Sequence, residues 1–163
     1  MTEWRALTDE EIVDLATKLR SLEWSWRMDD AAQVADTFGW EIAVAEPKFV
    51  MFDAIFGFDS AGIIGWDGRA DYITVEVTGG GRDESSGQAQ TRDAFVRMSA
   101  TLTGALGEPT TRKPGKSPEI RWAGTETTLV LQKLKSAVEL TLLTNAKLAL
   151  RDQAVELEGQ DTD

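Results

Sequence analysis

The chain has 163 residues, 42% of them hydrophobic and six of them tryptophan, with no cysteine, no histidine, and 28 carboxylates against 17 Lys and Arg. This inventory excludes thiol nucleophiles, Ser-His-Asp relays, disulfides and zinc sites built on nitrogen and sulfur. A formal charge of −11 repels nucleic-acid phosphates and anionic lipid and attracts a cationic protein. The first clear element begins at Leu7, where Thr8 with Glu11 forms a capping box and Leu7 with Ile12 a hydrophobic staple. Ile12, Leu15, Ala16, Leu19 and Leu22 then recur at helical spacing. Trp24 and Trp26, two apart, point to one side if that segment is extended, which puts both in the core. Asp29 or Asp30 caps a short second helix carrying Ala31, Val34, Ala35 and Phe38, and Gly39 is its left-handed stop.

From Trp40 the period changes to two. Trp40, Ile42 and Val44 alternate with their neighbours, Phe49 to Phe52 continues an extended pattern, and Ile63–Trp66 and Ala70–Val77 flank an Asp67-Gly68 turn. Thr78 to Gln90, with Gly79, Gly80 and Gly81 followed by Arg82, Asp83 and Glu84, reads as an exposed, flexible loop. Thr91 and Asp93 suit the start of a long helix whose stripe is Phe95, Met98, Leu102, Ala105 and Leu106 and whose stop is Gly107 with Pro109. Thr110 to Ser117, Pro-containing and basic, reads as a surface connection. Three strands follow, around Ile120/Trp122, Leu129/Leu131 and Val138/Leu140/Leu142, and then a helix from about Ala146 to Leu157 capped by Asn145. The order predicts one α+β domain over residues 1–158 and a polar tail at 159–163. With no basic leader before an apolar run, and no apolar stretch of about 18 residues, a cytoplasmic protein without membrane contact is expected.

Several motifs fail on chemistry. Gly115-Lys116-Ser117 ends like a P-loop, but Thr110 stands where the earlier glycine belongs and a strand follows. Asp83 and Glu84 follow the glycine triplet closely enough to discourage an anion there. Asp53, Asp59, Asp67 and Asp71 lie near strand ends, where a carboxylate pair for hydrolysis is conceivable, yet nothing in their spacing selects one. No cofactor or metal is expected. Trp24, Trp26, Trp40, Trp66 and Trp122 fall at core positions and Trp4 outside them, so that core packing is a stronger reading than a carbohydrate-binding aromatic platform for all but Trp4. Phe49, Met51, Phe52, Ile55, Phe56 and Phe58 concentrate more apolar area than one sheet face needs, with Asp53 and Asp59 alongside. Core packing is the stronger reading of this stretch. If its rings are exposed, Phe56 and Phe58 become the centre of a protein interface with Asp59 at the rim.

Leu-Thr-Asp-Glu-Glu-Ile at residues 7–12, Trp24-Ser-Trp26, Phe38-Gly39-Trp40, Leu106-Gly107-Glu108-Pro109, Trp122 and the terminal apolar hairpin resemble a family of small actinobacterial proteins. Such families are often encoded beside secreted polymorphic toxins, so the resemblance implies an immunity protein that blocks a toxin. The element order also resembles the secretion-chaperone-like α+β fold, which implies a bent, mostly antiparallel sheet with the N-terminal and central helices packed on one face. The function expected is therefore non-enzymatic binding of a protein partner, a basic toxin catalytic domain whose active site is occluded. A secretion or folding chaperone is the alternative and a carboxylate-dependent hydrolase a distant one. Asp83 and Glu84 are expected to enter the toxin's cationic cleft, anchored beside Phe56, Phe58 and Asp59.

Overall fold

The computed structural model describes residues 4–79 and 85–161. A two-residue strand, β1 (Arg5–Ala6), leads into α1 (Asp9–Arg20). The expected reciprocal cap is formed: the Glu11 N–H donates to Thr8 Oγ1 at 3.2 Å and the Thr8 N–H donates to Glu11 Oε1 at 2.9 Å. Ile12, Leu15, Ala16 and Leu19 are buried, as is the staple residue Leu7. A single 3₁₀ turn, Met28–Asp30, precedes α2 (Ala31–Phe38). The Asp30 carboxylate does not cap α2, because it accepts the Ser25 hydroxyl at 2.6 Å instead. Gly39, at φ 72°, ends α2 in the left-handed conformation that glycine adopts without steric cost.

Four strands follow, β2 (Glu41–Ala45), β3 (Phe49–Ala54), β4 (Gly57–Trp66) and β5 (Arg69–Glu76), the last two joined through Asp67 and Gly68, both at positive φ. Then come β6 (Thr78–Gly79), which pairs with β1, and the long helix α3 (Ser85–Leu106). The second half supplies β7 (Thr111–Lys113), β8 (Glu119–Ala123), β9 (Thr127–Lys133), β10 (Val138–Thr144) and α4 (Asn145–Asp161). The main sheet has eight strands in the order β2-β3-β4-β5-β10-β9-β8-β7, all antiparallel. It consists of two four-stranded meanders, each preceded by helix and fused through their last strands, with Thr74 opposite Thr141. The topology therefore repeats although the sequence does not.

One face of the sheet carries Val50, Phe52, Ile63, Ile73, Leu131, Leu140 and Leu142, covered by α1 and α3, which pack on each other and on β9 and β10. Arg97 of α3 ties the helices together by donating to the Leu7 carbonyl at 2.8 Å and to the Asp9 carboxylate, which it holds below its usual pKa range. The fold is α+β, with the N-terminal and central helices on one face as expected. On the other face α4 seats Leu148 against Val130, Leu143 and Tyr72.

Several sequence expectations are corrected. Ser85 to Gln90, read as loop, forms the first turns of α3, so Thr91 is a buried helix position rather than a start. Thr78 and Gly79 form a strand, and the basic connection contains one too, β7. Trp66 is 61% exposed, its ring under the Lys48 ammonium at 4.3 Å. It sits at the last position of β4 and follows Gly65, whose Cβ would point at the core residue Met28, and so faces away from that core. Trp4 is half-buried against the core, with its Nε1–H 3.4 Å from Thr91 Oγ1. Asn145 does not cap α4. Its side chain accepts the Thr128 hydroxyl at 2.7 Å and donates to the Gly124 and Thr125 carbonyls, while Thr144 Oγ1 accepts the Lys147 N–H as cap. The helix runs on to Asp161, through residues 159–161 that read as tail.

Candidate functional site

The acidic excess is concentrated early in the chain: residues 1–60 hold thirteen carboxylates against five Lys and Arg. In the fold this segment forms α1, α2, β2 and β3, and between them lies a cleft of about 210 Å³. Its apolar lining comes from three elements. Leu7 and Leu15 belong to α1 and its lead-in, Phe38 and Trp40 flank the turn at Gly39, and Ile55 comes from the β3–β4 turn. The left-handed Gly39 reverses the chain so that the Phe38 and Trp40 rings stack at 4.5 Å and 15°, and Trp40 then leans on Phe52 at 5.4 Å. Ile55 is 38% exposed, a large aliphatic side chain available to a partner. Glu11, Asp14 and Lys18, one turn apart on α1, complete the lining, with Asp14 paired to Lys18 at 3.3 Å.

The predicted partner-binding residues are distributed differently. Phe56 is half-buried on the core, its ring 5.6 Å from the Arg5 guanidinium and so close to Gly79 that a Cβ there would meet it at 2.7 Å. It therefore locks β6 to the β3–β4 turn and is not the expected exposed anchor. Phe58 and Asp59 lie in β4 with their side chains outside the described residues, and Asp83 and Glu84 also lie outside them. Among the described side chains of the stretch, the neighbouring Ile55 in the same turn is the large apolar residue that is exposed. Alternation could not single it out, because the turn interrupts the period.

Of the carboxylates considered for hydrolysis, the three with described side chains are not gathered, and the Asp59 side chain lies outside the described residues. Asp53 is exposed on β3, Asp67 is exposed in the β4–β5 turn, and Asp71 pairs with Lys147 of α4 at 3.0 Å. Sequence reading missed a closer pair, Glu76 and Glu139, which stand directly opposite each other on β5 and β10. Their spacing of 63 residues hides them until the strands pair. Burial pushes the Glu139 carboxyl up, against a 3.3 Å hydrogen bond from Thr74 Oγ1 and the more distant Arg151 of α4. A raised carboxyl pKa contributes stability below the unfolded value, and that contribution is lost as pH rises through the folded value. Glu139→Gln should therefore raise the stability at pH 7 by about 0.5–1 kcal/mol and leave it unchanged near pH 3. Urea denaturation at the two pH values checks this, and equal effects at both would refute the assignment.

A second and larger cavity, about 600 Å³, opens where the chain leaves α1. Arg20, Ser21, Leu22, Glu23, Trp24 and Trp26 form one side, and Trp122, Leu129 and the β8–β9 turn at residues 124–127 form the other. Trp122 is buried, and its Nε1–H donates to the Gly107 carbonyl at 3.0 Å. Trp24 and Trp26 contact each other at 5.3 Å with their planes 42° apart. Trp26 adopts φ 59°, a left-handed conformation that costs a bulky residue about 1–2 kcal/mol. The Trp24 Nε1–H is buried without an acceptor among the described residues, at a further cost of about 1–3 kcal/mol. The Trp24-Ser-Trp26 spacing was legible, but the left-handed turn that places the rings was not.

A family model matches residues 10–144, which span α1 through the end of β10 and so all eight strands of the main sheet. The chain belongs to the DUF6301 family. That family is described only as one of unknown function, and comparison with curated proteins and with solved structures finds no match in either. Most of the acidic cleft and the whole tryptophan cavity fall inside the family span, whereas α4 begins just beyond it. No described helix is long and apolar enough to cross a membrane, and no group of three metal-ligating side chains converges among the described residues.

Proposed function

We propose that this DUF6301 protein is a non-catalytic binding protein that blocks a basic protein partner, as an immunity protein blocks a toxin inside the producing cell. The observation that carries this reading is the cleft beside α1. A floor of stacked Phe38 and Trp40 and the exposed Ile55 sits next to Glu11 and Asp14, in the half of the chain that holds the acidic excess. An apolar centre with a rim of two carboxylates and one cation, Lys18 paired to Asp14, on a strongly acidic chain favours a complementary cationic partner over an anionic one.

The test uses the product of the adjacent gene. Mixed with this protein it should form a stoichiometric complex and lose its own activity, with an association rate that falls as salt rises from low to physiological strength. Asp14→Lys combined with Ile55→Arg should weaken binding about 100-fold, because it reverses a rim charge and places a guanidinium on the apolar centre. Thermal melts should stay close to wild type, since both side chains are substantially exposed. Unchanged affinity in titration calorimetry would remove the cleft from the interface, and preferential binding of the unfolded partner would favour a chaperone.

A further inference from the structure

The tryptophan cavity shares no lining residue with the acidic cleft and calls for a ligand of different chemistry. Its walls include the half-buried indoles of Trp24 and Trp26, which offer flat apolar surface, backed by the buried Trp122. Its charged members are Arg20, Glu23 and Glu126, all exposed and none in an ion pair among the described residues. A cationic ligand would satisfy the two carboxylates and face Arg20, and an anionic one would satisfy Arg20 and face both carboxylates. A hydrocarbon would desolvate all three without compensation. A ligand with one apolar face and an edge of hydroxyl donors and acceptors meets every requirement, since it stacks on indole, donates to Glu23 and Glu126 and accepts from Arg20.

We propose that the cavity formed by Trp24, Trp26 and Trp122 with Arg20, Glu23 and Glu126 binds neutral carbohydrate. Its 600 Å³ lies in the usual range of small-molecule sites and accommodates one or two sugar rings. The wall is held ready for an occupant at a local cost. The left-handed Trp26 is pinned on both sides by hydrogen bonds, Ala70 N–H to the Trp26 carbonyl at 2.9 Å and Arg27 N–H to Ser25 Oγ at 3.1 Å. Beside it Trp24 keeps its indole N–H buried and unpaired. Two neighbouring deviations of this kind, in the wall of one cavity, are typical of a surface shaped for binding rather than for stability alone.

The experiment is a screen of the full chain against an array of neutral oligosaccharides, followed by titration of the best binders into protein labelled with 5-fluorotryptophan. The six indole resonances are assigned with single Trp→Phe variants. The expected result is saturable displacement of the Trp24 and Trp26 signals by at least one neutral glycan, with the signal of Trp40, which lines the separate acidic cleft, unmoved. Glu126→Ala, a change on an exposed turn, should weaken that binding at least about 10-fold without shifting the melting temperature. Glu23→Ala serves as a second variant should the first disturb the turn. The proposal is overturned if no neutral glycan moves these signals at about 10 mM, if only charged saccharides do, or if both glutamate variants bind as wild type. Because the acidic cleft is untouched, these outcomes are independent of whether the basic partner is inhibited.

Discussion

Arg121→Leu is expected to destabilise the protein by about 3 kcal/mol and to release α4 from the sheet. Arg121 is only 8% exposed in the middle of β8, where its two terminal nitrogens donate to the Asp152 carboxylate at 2.8 and 2.9 Å and its Nε donates to Glu119. The pairing is bidentate, the strong geometry for a guanidinium and a carboxylate. Removing the cation leaves Glu119 largely buried and uncompensated, and α4 loses its bidentate anchor while keeping Leu148, the Lys147–Asp71 and Lys113–Asp152 pairs and the Asn145 hydrogen bonds to Thr128 and the β8–β9 turn. Denaturant unfolding should show the loss, and hydrogen exchange should show early deprotection of the first turns of α4. Intact protection there would mean that the remaining contacts dock the helix without the Arg121 pair.

The same cluster fixes an acid limb. Hydrogen bonds from Arg121 hold Asp152 below the usual carboxylate range. A depressed carboxylate contributes stability that is present above its unfolded pKa of about 3.9 and is lost as pH falls through the folded value. Wild type should therefore lose stability on acidification below about pH 4 through this pair, and Arg121→Leu should lose less. Parallel acid dependence in the two proteins would exclude Asp152 as a source of the limb.

Gly65→Ala should be the most damaging single-methyl change, at about 3 kcal/mol or more. A Cβ at Gly65 would run into the Arg69 carbonyl and lie 2.5 Å from Met28 Sδ. The thioether can swing aside, but the carbonyl belongs to the backbone at the β4–β5 hairpin, where the register already shifts between Ile64 and Gly65. Met28→Ala introduced together with Gly65→Ala should therefore fail to restore stability. Gly104→Ala in α3, where a Cβ meets nothing within 4 Å, provides the control. Thermal melts of the three variants decide the matter, and a melting temperature for Gly65→Ala near wild type would show that the hairpin yields.

How much of this was legible depends on how far apart the deciding residues stand. Thr8 and Glu11 start α1, Gly39 stops α2 and Asp67-Gly68 turns the β4–β5 hairpin, each through groups within a few residues of one another. Local chemistry was enough for those, and for excluding thiol and imidazole chemistry altogether. The start of α3 was misplaced by six residues because Ser85 to Gln90 carries a glycine and small polar side chains, whose weak helix preference is overridden once the following turns are packed. The tryptophans divided on position in the sheet. Trp122 lies in β8 on the core side and is buried, whereas Trp66 follows Gly65, whose Cβ would point at the core residue Met28, and so faces away from that core and is exposed.

By itself the sequence determined an α+β domain, the cap of α1, the stop of α2, the β4–β5 turn and a strongly acidic composition. Tertiary structure alone decided that β5 and β10 fuse the two meanders, that Glu76 meets Glu139, and that Ile55 rather than Phe56 faces outward. It alone brought Trp24 and Trp26 to Trp122, across nearly a hundred residues, to make a cavity. The physical reason is the same in each case. Caps and turns are fixed by hydrogen bonds between near neighbours, while strand partners and exposed faces are set by which apolar surfaces are buried together, a choice made by the whole chain at once.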